Sequence, residues 1–294
     1  MSDAPTWDSL RARWPNAEHS RFVTVGDARW HVQVAGSGPV VLLLHGAGSA
    51  NFSWRDVFPA LATSCTVIAP DLPGHGFTDA GRDALSIGGM ARAVRALLDA
   101  LAVEPVVVAG HSAGGALAVR MALDGALRAR AIVGFGAALV PPQGTHAKLL
   151  APWLASFAAT PAMAWIASRV ATIPGVVETA LGGTGSPVSA EQRALYAAFF
   201  RSAKHCAGAF AMMAGWDLEA LVRDVPRLTT PLRLVHGARD HFVPLGALRA
   251  TVATVPGARL DVIEGAGHLL HEERPALAVA AIGEALQETS ARRD

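Results

Sequence analysis

The 294-residue chain is predicted to fold as an α/β protein: a mostly parallel eight-stranded sheet, covered by helices on both faces, with an inserted helical cap. Three observations predict this architecture. Strand runs alternate with helical runs, most strand runs are continuously apolar, and strand runs stop between about Pro141 and Arg227 while helix-start signals continue. Alternation favours right-handed βαβ crossovers, and unbroken apolar strands are typical of a sheet covered on both sides.

The predicted elements follow from the N-terminus in order. Two β-rich runs joined by Gly26-Asp27 predict an antiparallel hairpin, which would supply the antiparallel edge of the sheet. The apolar runs predicted as parallel strands are 40–44, 66–69, 106–109, 131–135, 232–235 and 259–263. The helical patterns lie near 54–62, 87–102, 116–123, 245–255 and 275–287.

The cap is predicted to comprise residues 141–227, so the core would consist of residues 1–140 and 228–294. Thr160-Pro161 places a helix N-cap before a first-turn proline, and Ser189 with Gln192 forms a capping-box pattern.

One part of the cap is unusually apolar. Twenty residues between Lys148 and Arg169 carry no formal charge, a length that suffices to span a bilayer. Pro152 and Pro161 instead divide this stretch into two short helices, so we expect no membrane span there.

Composition excludes several function classes. Lysine and arginine number 25 against 24 acidic residues, a balance that does not predict nucleic-acid binding. Cys65 and Cys206 lack metal-ligand spacing, so we expect no metal site. Residues 1–16 lack the apolar run of a secretory signal, so we expect a cytoplasmic protein. Neither a P-loop nor a dinucleotide-binding glycine motif occurs, which argues against ATP or nicotinamide chemistry. The sequence predicts no cofactor.

Ser112 is the candidate nucleophile. It stands in Gly110-His111-Ser112-Ala113-Gly114, between a predicted buried strand and a predicted helix. A sharp strand-to-helix turn exposes a serine hydroxyl and places it at a helix N-terminus, which favours developing negative charge. The alternative is a packing turn in which the serine only caps the helix.

A serine needs a base, and the base needs an orienting acid. His268 follows the strand run 259–263 and is the candidate base; His271 is a weaker candidate, and the alternative for His268 is a surface-loop histidine. Asp240 follows the run 232–235 and is the candidate acid, whereas the loop that begins at Gly136 offers no carboxylate. The chain order serine, aspartate, histidine fits this architecture.

The oxyanion hole is predicted to use the N–H groups of Ala47 and Ala113. On its own, the loop at Ala47 is better explained as a plain turn, and the oxyanion role depends on the agreement of the three loops. The loop from Asp71 to Gly76 is predicted to be structural, with Asp71 holding backbone groups. Six residues are expected to contact substrate: Gly46, His111, Trp153, Phe157, Trp165 and Trp216.

These motifs resemble the α/β-hydrolase superfamily over nearly the whole chain. The serine at position 112 argues against its haloalkane dehalogenase and epoxide hydrolase branches, which use an aspartate there. The strings that begin at Gly182, Met212 and His271 further resemble the magnesium-chelatase accessory proteins of bacteriochlorophyll biosynthesis. That resemblance implies a role around magnesium insertion into protoporphyrin IX and magnesium-chelatase subunits as partners, and it implies no particular reaction.

Two interpretations of the cap stay open. In the first, its helices only pack on the core. In the second, four apolar side chains line a pocket for a flat apolar ligand such as a tetrapyrrole, or the cap touches a membrane surface; the side chains are Trp153, Phe157, Met163 and Trp165. In the second case the loop Gly182 to Ser186 is expected to give the cavity room to open. Two functions follow: a serine hydrolase of unknown acyl substrate, or a porphyrin-binding accessory protein with an unused triad.

Overall fold

The structure, a computed structural model, describes residues 5–81, 84–140 and 160–291. The strands of these ranges are β1 (Ser20–Val25), β2 (Ala28–Ala35), β3 (Val40–Leu44), β4 (Thr66–Pro70), β5 (Val107–His111), β6 (Ala131–Phe135), β7 (Leu232–Gly237) and β8 (Arg259–Ile263). The helices before β7 are α1 (Trp7–Leu10), α2 (Val57–Ala62), α3 (Ile87–Ala100), α4 (Ala113–Leu123), α5 (Pro161–Val170), α6 (Val176–Gly182), α7 (Ala190–Phe200), α8 (Ala203–Gly215) and α9 (Leu218–Asp224). Those after it are α10 (Leu245–Val252), α11 (Leu270–Glu273) and α12 (Pro275–Ala291).

The eight strands form one sheet in the order β1-β2-β4-β3-β5-β6-β7-β8. β1 pairs antiparallel with β2, and β2 pairs antiparallel with β4, whereas the other neighbours are parallel. The predicted fold class and the antiparallel edge are therefore confirmed. Because β3 and β5 are central and parallel, the loops that follow them meet at the same edge of the sheet.

Apolar residues cover both faces of the sheet. Along β3, Leu42 and Leu44 pack into one core with α3 and α4, while Val41 and Leu43 pack into a second core with α2 and α12. This alternation explains why the strand is apolar throughout: side chains of successive residues point to opposite faces, and both faces are buried.

The helices α5 to α9 lie between β6 and β7, within the predicted cap. α5 begins at Pro161 after the N-cap Thr160, and α7 begins after the capping box of Ser189 and Gln192, as the sequence predicted. Trp153 and Phe157 lie outside the described residues, and the domain boundaries stay a prediction. Within the three described ranges, none of the helices has the length and apolar character needed to cross a bilayer.

The N-terminal segment packs against helices that lie between β6 and β7, a contact that the sequence does not predict. Leu10 and Trp14 share an apolar cluster with Phe52 of the core and with Leu181 and Phe199 of the cap helices. The signal was present in the tryptophans of this segment, but aromatic residues without periodicity do not reveal their partners.

Candidate active site

The parallel strands bring several loops to one edge of the sheet. β3, β5, β6, β7 and β8 are successive parallel neighbours, so the segments after their carboxyl ends lie side by side. Functional groups of α/β sheets gather at this edge. Ala47, Ser112, Asp240 and His268 follow β3, β5, β7 and β8 respectively.

Ser112 lies in a sharp turn between β5 and α4. Its backbone has φ +49° and ψ −115°, and its N–H donates to the carbonyl oxygen of Phe135 at 2.9 Å. The turn requires a small neighbour, because a Cβ on Gly114 would lie 2.2 Å from the carbonyl oxygen of Leu44. Among the described residues, the Ser112 hydroxyl makes no hydrogen bond with His268; such bonds often tighten only in the substrate complex. The strained turn fits a strand-turn-helix nucleophile.

Asp240 and His268 form a buried pair. Nδ1 of His268 lies 2.7 Å from Oδ2 of Asp240, whose Oδ1 accepts the N–H groups of Phe242 at 2.8 Å and Val243 at 3.0 Å. Burial acts to raise the pKa of Asp240, but the hydrogen bond and charge of His268 and the two backbone donors outweigh it and hold that pKa below its ordinary value. An ionised Asp240 accepts the proton on Nδ1, so Nε2 of His268 is left as the basic atom.

Gly136, directly after β6, lies against this pair. Its φ is +51°, and a Cβ there would come within 3.1 Å of His268 Nδ1 and 3.2 Å of Asp240 Oδ2. The preceding residue, Phe135, accepts the N–H of Ser112, so Gly136 connects the serine turn with the acid and histidine loops. In the sequence, this position is notable only for its missing carboxylate. The structure shows that a side chain of any kind would crowd the pair.

The predicted oxyanion loop is held by His45. Its Nδ1–H donates to the carbonyl oxygen of Gly46 at 2.8 Å, and its Nε2 accepts the N–H of Leu72 at 2.8 Å. Burial lowers the pKa of His45, which favours the neutral ring that both bonds require. Among the described residues, the N–H groups of Ala47 and Ala113 have no hydrogen-bond acceptor. Both N–H groups are thus free to donate, and their role as an oxyanion hole stays a prediction.

His111 connects the serine turn with the histidine loop. Its Nε2–H donates to the carbonyl oxygen of His268 at 3.0 Å, and a Cβ on Gly46 would lie 2.7 Å from its Nδ1. Burial, followed by the nearby His268, lowers the pKa of His111 well below its ordinary value, so the ring is neutral. Substrate contact by Gly46 and His111 stays a prediction. His271, the weaker candidate base, is fully buried, and the structure brings His268 to the acid.

The two described aromatic candidates differ in environment. Trp165 on α5 is 56% exposed, whereas Trp216 is buried and its Nε1–H donates to the carbonyl oxygen of Leu85 at 3.0 Å. Trp216 therefore packs into the apolar core on one face of the sheet. Contact of either residue with a substrate stays a prediction.

Asp71 holds backbone groups, as predicted. Its carboxylate accepts the N–H groups of Asn51 at 2.8 Å and Phe77 at 2.9 Å. It also lies 2.7 Å from Nδ1 of His31, a buried partner on the antiparallel strand β2 that sequence reasoning missed. The loop that starts at Asp71 is thus a structural support beside the site.

A buried carboxylate next to the site was also missed. Glu272 on α11 accepts the Tyr196 hydroxyl at 2.6 Å, the Gln192 amide at 3.0 Å and the Arg55 guanidinium at 2.9 Å. Burial raises the pKa of Glu272 to about 7, against the opposing influence of Arg55 and Tyr196. Tyr196 also lies 3.3 Å from the Ser49 hydroxyl, so this network joins cap helix α7 to both the histidine and the oxyanion segments. No sequence motif marks it, because its members are far apart in the chain.

Residues 41–282 match the model of the alpha/beta hydrolase family. The chain is 36% identical over 267 residues to the magnesium-chelatase 30 kDa subunit of Rhodobacter capsulatus, covering 90% of this chain and 93% of the relative. It is 26% identical over 264 residues to a 2-hydroxy-6-oxo-6-phenylhexa-2,4-dienoate hydrolase of Burkholderia cepacia, covering 85% and 90%.

Among solved structures, an alpha/beta hydrolase fold protein from Burkholderia ambifaria superposes with a TM-score of 0.72 at 24% identity, covering 90% of this chain and 99% of that one. This similarity supports the fold alone. The family model, which matches residues 41–282, shows that the chain belongs to the alpha/beta hydrolase family.

Proposed function

We propose that the protein is a serine hydrolase that cleaves an ester or related acyl bond, with Ser112 as nucleophile, His268 as general base and Asp240 as orienting acid. The observation that carries the proposal is the 2.7 Å contact between Asp240 Oδ2 and His268 Nδ1, at the sheet edge where the strained turn of Ser112 lies. Serine hydrolases depend on this combination of groups.

The proposed reaction proceeds in two halves. Nε2 of His268 takes the proton of the Ser112 hydroxyl while Oγ attacks the carbonyl carbon, and the leaving group departs with that proton. Water then attacks the acyl-serine with the same base, which restores the free hydroxyl. The N–H groups of Ala47 and Ala113 would stabilise both tetrahedral intermediates, by about 3 kcal/mol for each donor.

The relative from Rhodobacter capsulatus supports a role of this hydrolase in bacteriochlorophyll biosynthesis alongside magnesium chelatase. An apolar substrate or a tetrapyrrole would fit that role, and a cytoplasmic location belongs to the same proposal. The relative from Burkholderia cepacia is named as a dienoate hydrolase. Hydrolysis of a carbon–carbon bond would use the same three side chains.

A second candidate function is binding without catalysis. The Rhodobacter capsulatus relative is named as a subunit of a chelatase rather than as a hydrolase. Under this alternative the protein binds protoporphyrin IX and assists magnesium insertion, with chelatase subunits as partners. The exposed aromatic ring of Trp165 on the cap is compatible with contact to a flat apolar ligand or to a membrane surface.

Labelling with a fluorophosphonate tests the hydrolase proposal. The wild-type protein should be labelled at Ser112, and Ser112→Ala and His268→Ala should abolish the labelling. His241→Ala is a matched control, because His241 is an exposed histidine adjacent to the acid and should leave labelling unchanged. A folded wild-type protein that takes up no label would contradict the hydrolase proposal.

Titration of the same preparations with protoporphyrin IX tests the alternative. Binding should shift the Soret band at micromolar porphyrin in both wild type and Ser112→Ala, because this function does not use the hydroxyl. Absence of a shift in both proteins would exclude the porphyrin-binding role.

A further inference from the structure

The loop between α6 and α7, residues 183–189 and here called the clasp loop, is hydrogen-bonded to the loop that carries His268. The N–H of His268 donates to the carbonyl oxygen of Thr184 at 2.8 Å, and the N–H of Leu269 donates to Oγ of Ser186 at 2.9 Å. Both clasp-loop residues are buried. These contacts tie the loop to the histidine segment, and its expected part in opening a cavity stays a prediction.

Ser186 extends the connection to the other side of the histidine. Its hydroxyl donates to Oε1 of Glu273, and the same oxygen accepts the N–H of Gly267 at 2.7 Å. The backbone N–H groups of three successive residues therefore all have acceptors. Gly267 donates to Glu273, His268 donates to Thr184, and Leu269 donates to Ser186. Buried donors without partners are unfavourable, so this arrangement restricts the backbone to one path.

The clasp loop also reaches the acid. A Cβ on Gly185 would lie 2.1 Å from the carbonyl oxygen of Arg239, the residue before Asp240, and a Cβ on Gly267 would lie 2.4 Å from the carbonyl carbon of Gly185. The clasp loop thus packs against both the acid and the histidine loops, which also contact each other directly, since the N–H of Arg239 donates to the carbonyl oxygen of Ala266 at 2.8 Å.

We propose that Ser186 is a positioning residue: through Leu269 and Glu273 it sets the backbone of His268, and so aligns the imidazole with Asp240. This inference rests on the proposed function. Displacement of a catalytic group by about 1 Å lowers rates by roughly 100-fold. Loss of the hydroxyl should therefore reduce turnover by about 10- to 100-fold without removing any group that touches the substrate.

The test compares Ser186→Ala with Ser186→Thr, which retains a hydroxyl, and with Ser189→Ala. Ser189 lies in the same clasp loop, but its hydroxyl accepts the N–H of Gln192 at 3.2 Å and does not contact the histidine loop. Two readouts are measured: the kcat and KM for p-nitrophenyl acetate, and the downfield proton resonance of the His268 Nδ1–H bonded to Asp240.

Ser186→Ala should lower kcat with KM nearly unchanged and should broaden or shift the downfield resonance. Ser186→Thr should restore both readouts in part, and Ser189→Ala should match wild type in both. If Ser186→Ala does not fold, Glu273→Gln replaces it, because that change weakens the same bridge and keeps the side-chain volume. A wild-type kcat and an unshifted resonance in the folded variant would overturn the inference.

Failure of the proposed function has a different signature. In that case wild type shows no turnover and no fluorophosphonate labelling, while the resonance still reports whether Ser186 aligns His268 with Asp240. An unchanged resonance in Ser186→Ala would then overturn the positioning role independently of activity.

Discussion

Replacement of Ser112 by glycine should stabilise the protein relative to replacement by alanine. Both variants lack the hydroxyl, so they differ only at Cβ. At φ +49° and ψ −115° a Cβ is crowded by the backbone, and strain of this kind amounts to about 1 to 3 kcal/mol at a functional site. Glycine removes that strain.

The same pair of substitutions at Ser202 provides the control. Ser202 caps α8 at φ −94° and ψ 118°, an ordinary conformation for a helix N-cap. Glycine differs from alanine in two further ways: it gives the unfolded chain more entropy, and it is the better N-cap residue. Both effects apply equally at positions 112 and 202, so they cancel when the two glycine–alanine differences are compared. The gap in unfolding free energy between glycine and alanine should be larger at position 112 by about 1 to 3 kcal/mol.

Scanning calorimetry of the four variants measures this difference. For a chain of this length, 1 kcal/mol corresponds to a shift in Tm of about 2 °C, so the extra gap at position 112 should be roughly 2 to 6 °C. Equal gaps at the two positions would refute the claim that the serine turn stores strain.

Three further outcomes follow from the contacts of the site and the cap. Asp240→Asn should slow fluorophosphonate labelling by roughly a thousandfold or more, because the amide favours the wrong imidazole tautomer; labelling at the wild-type rate would exclude Asp240 as the orienting acid. Since burial raises the pKa of Glu272 to about 7, its contribution to stability is complete below about pH 4.5 and is lost as the pH rises through 7. In urea unfolding from pH 4.5 to 8, the free energy of unfolding of wild type should therefore fall by up to about 3 kcal/mol relative to that of Glu272→Gln. Parallel plots of the two free energies against pH would contradict this burial effect. Gly208→Ala should destabilise the protein in thermal unfolding, because the new Cβ would lie 2.3 Å from the carbonyl oxygen of Gly74. Gly182→Ala meets no atom within 4 Å and should be neutral or stabilising by up to about 1 kcal/mol. Equal effects of the two substitutions would disprove close packing of α8 on the core.

Local patterns were sufficient for the fold and for the order of the candidate groups. The run from Val40 to Leu44 is apolar at every position, which requires two covered faces, and the two cores on either side of β3 satisfy that requirement. The placement of Ser112, Asp240 and His268 after parallel strands of one sheet follows from topology alone. Their proposed roles stay predictions.

The sequence by itself determined the elements, because periodicity, caps and turn residues act over a few positions of the chain. Only the tertiary structure decided which distant groups became partners: Ser186 with the histidine loop, Tyr196 with Glu272, and Gly136 against the acid and histidine. Hydrogen bonds and close packing between segments far apart in the chain depend on how the helices between β6 and β7 lie on the sheet, which no local pattern encodes. For that reason the sequence identified the candidate groups, and the folded chain alone showed what holds them in place.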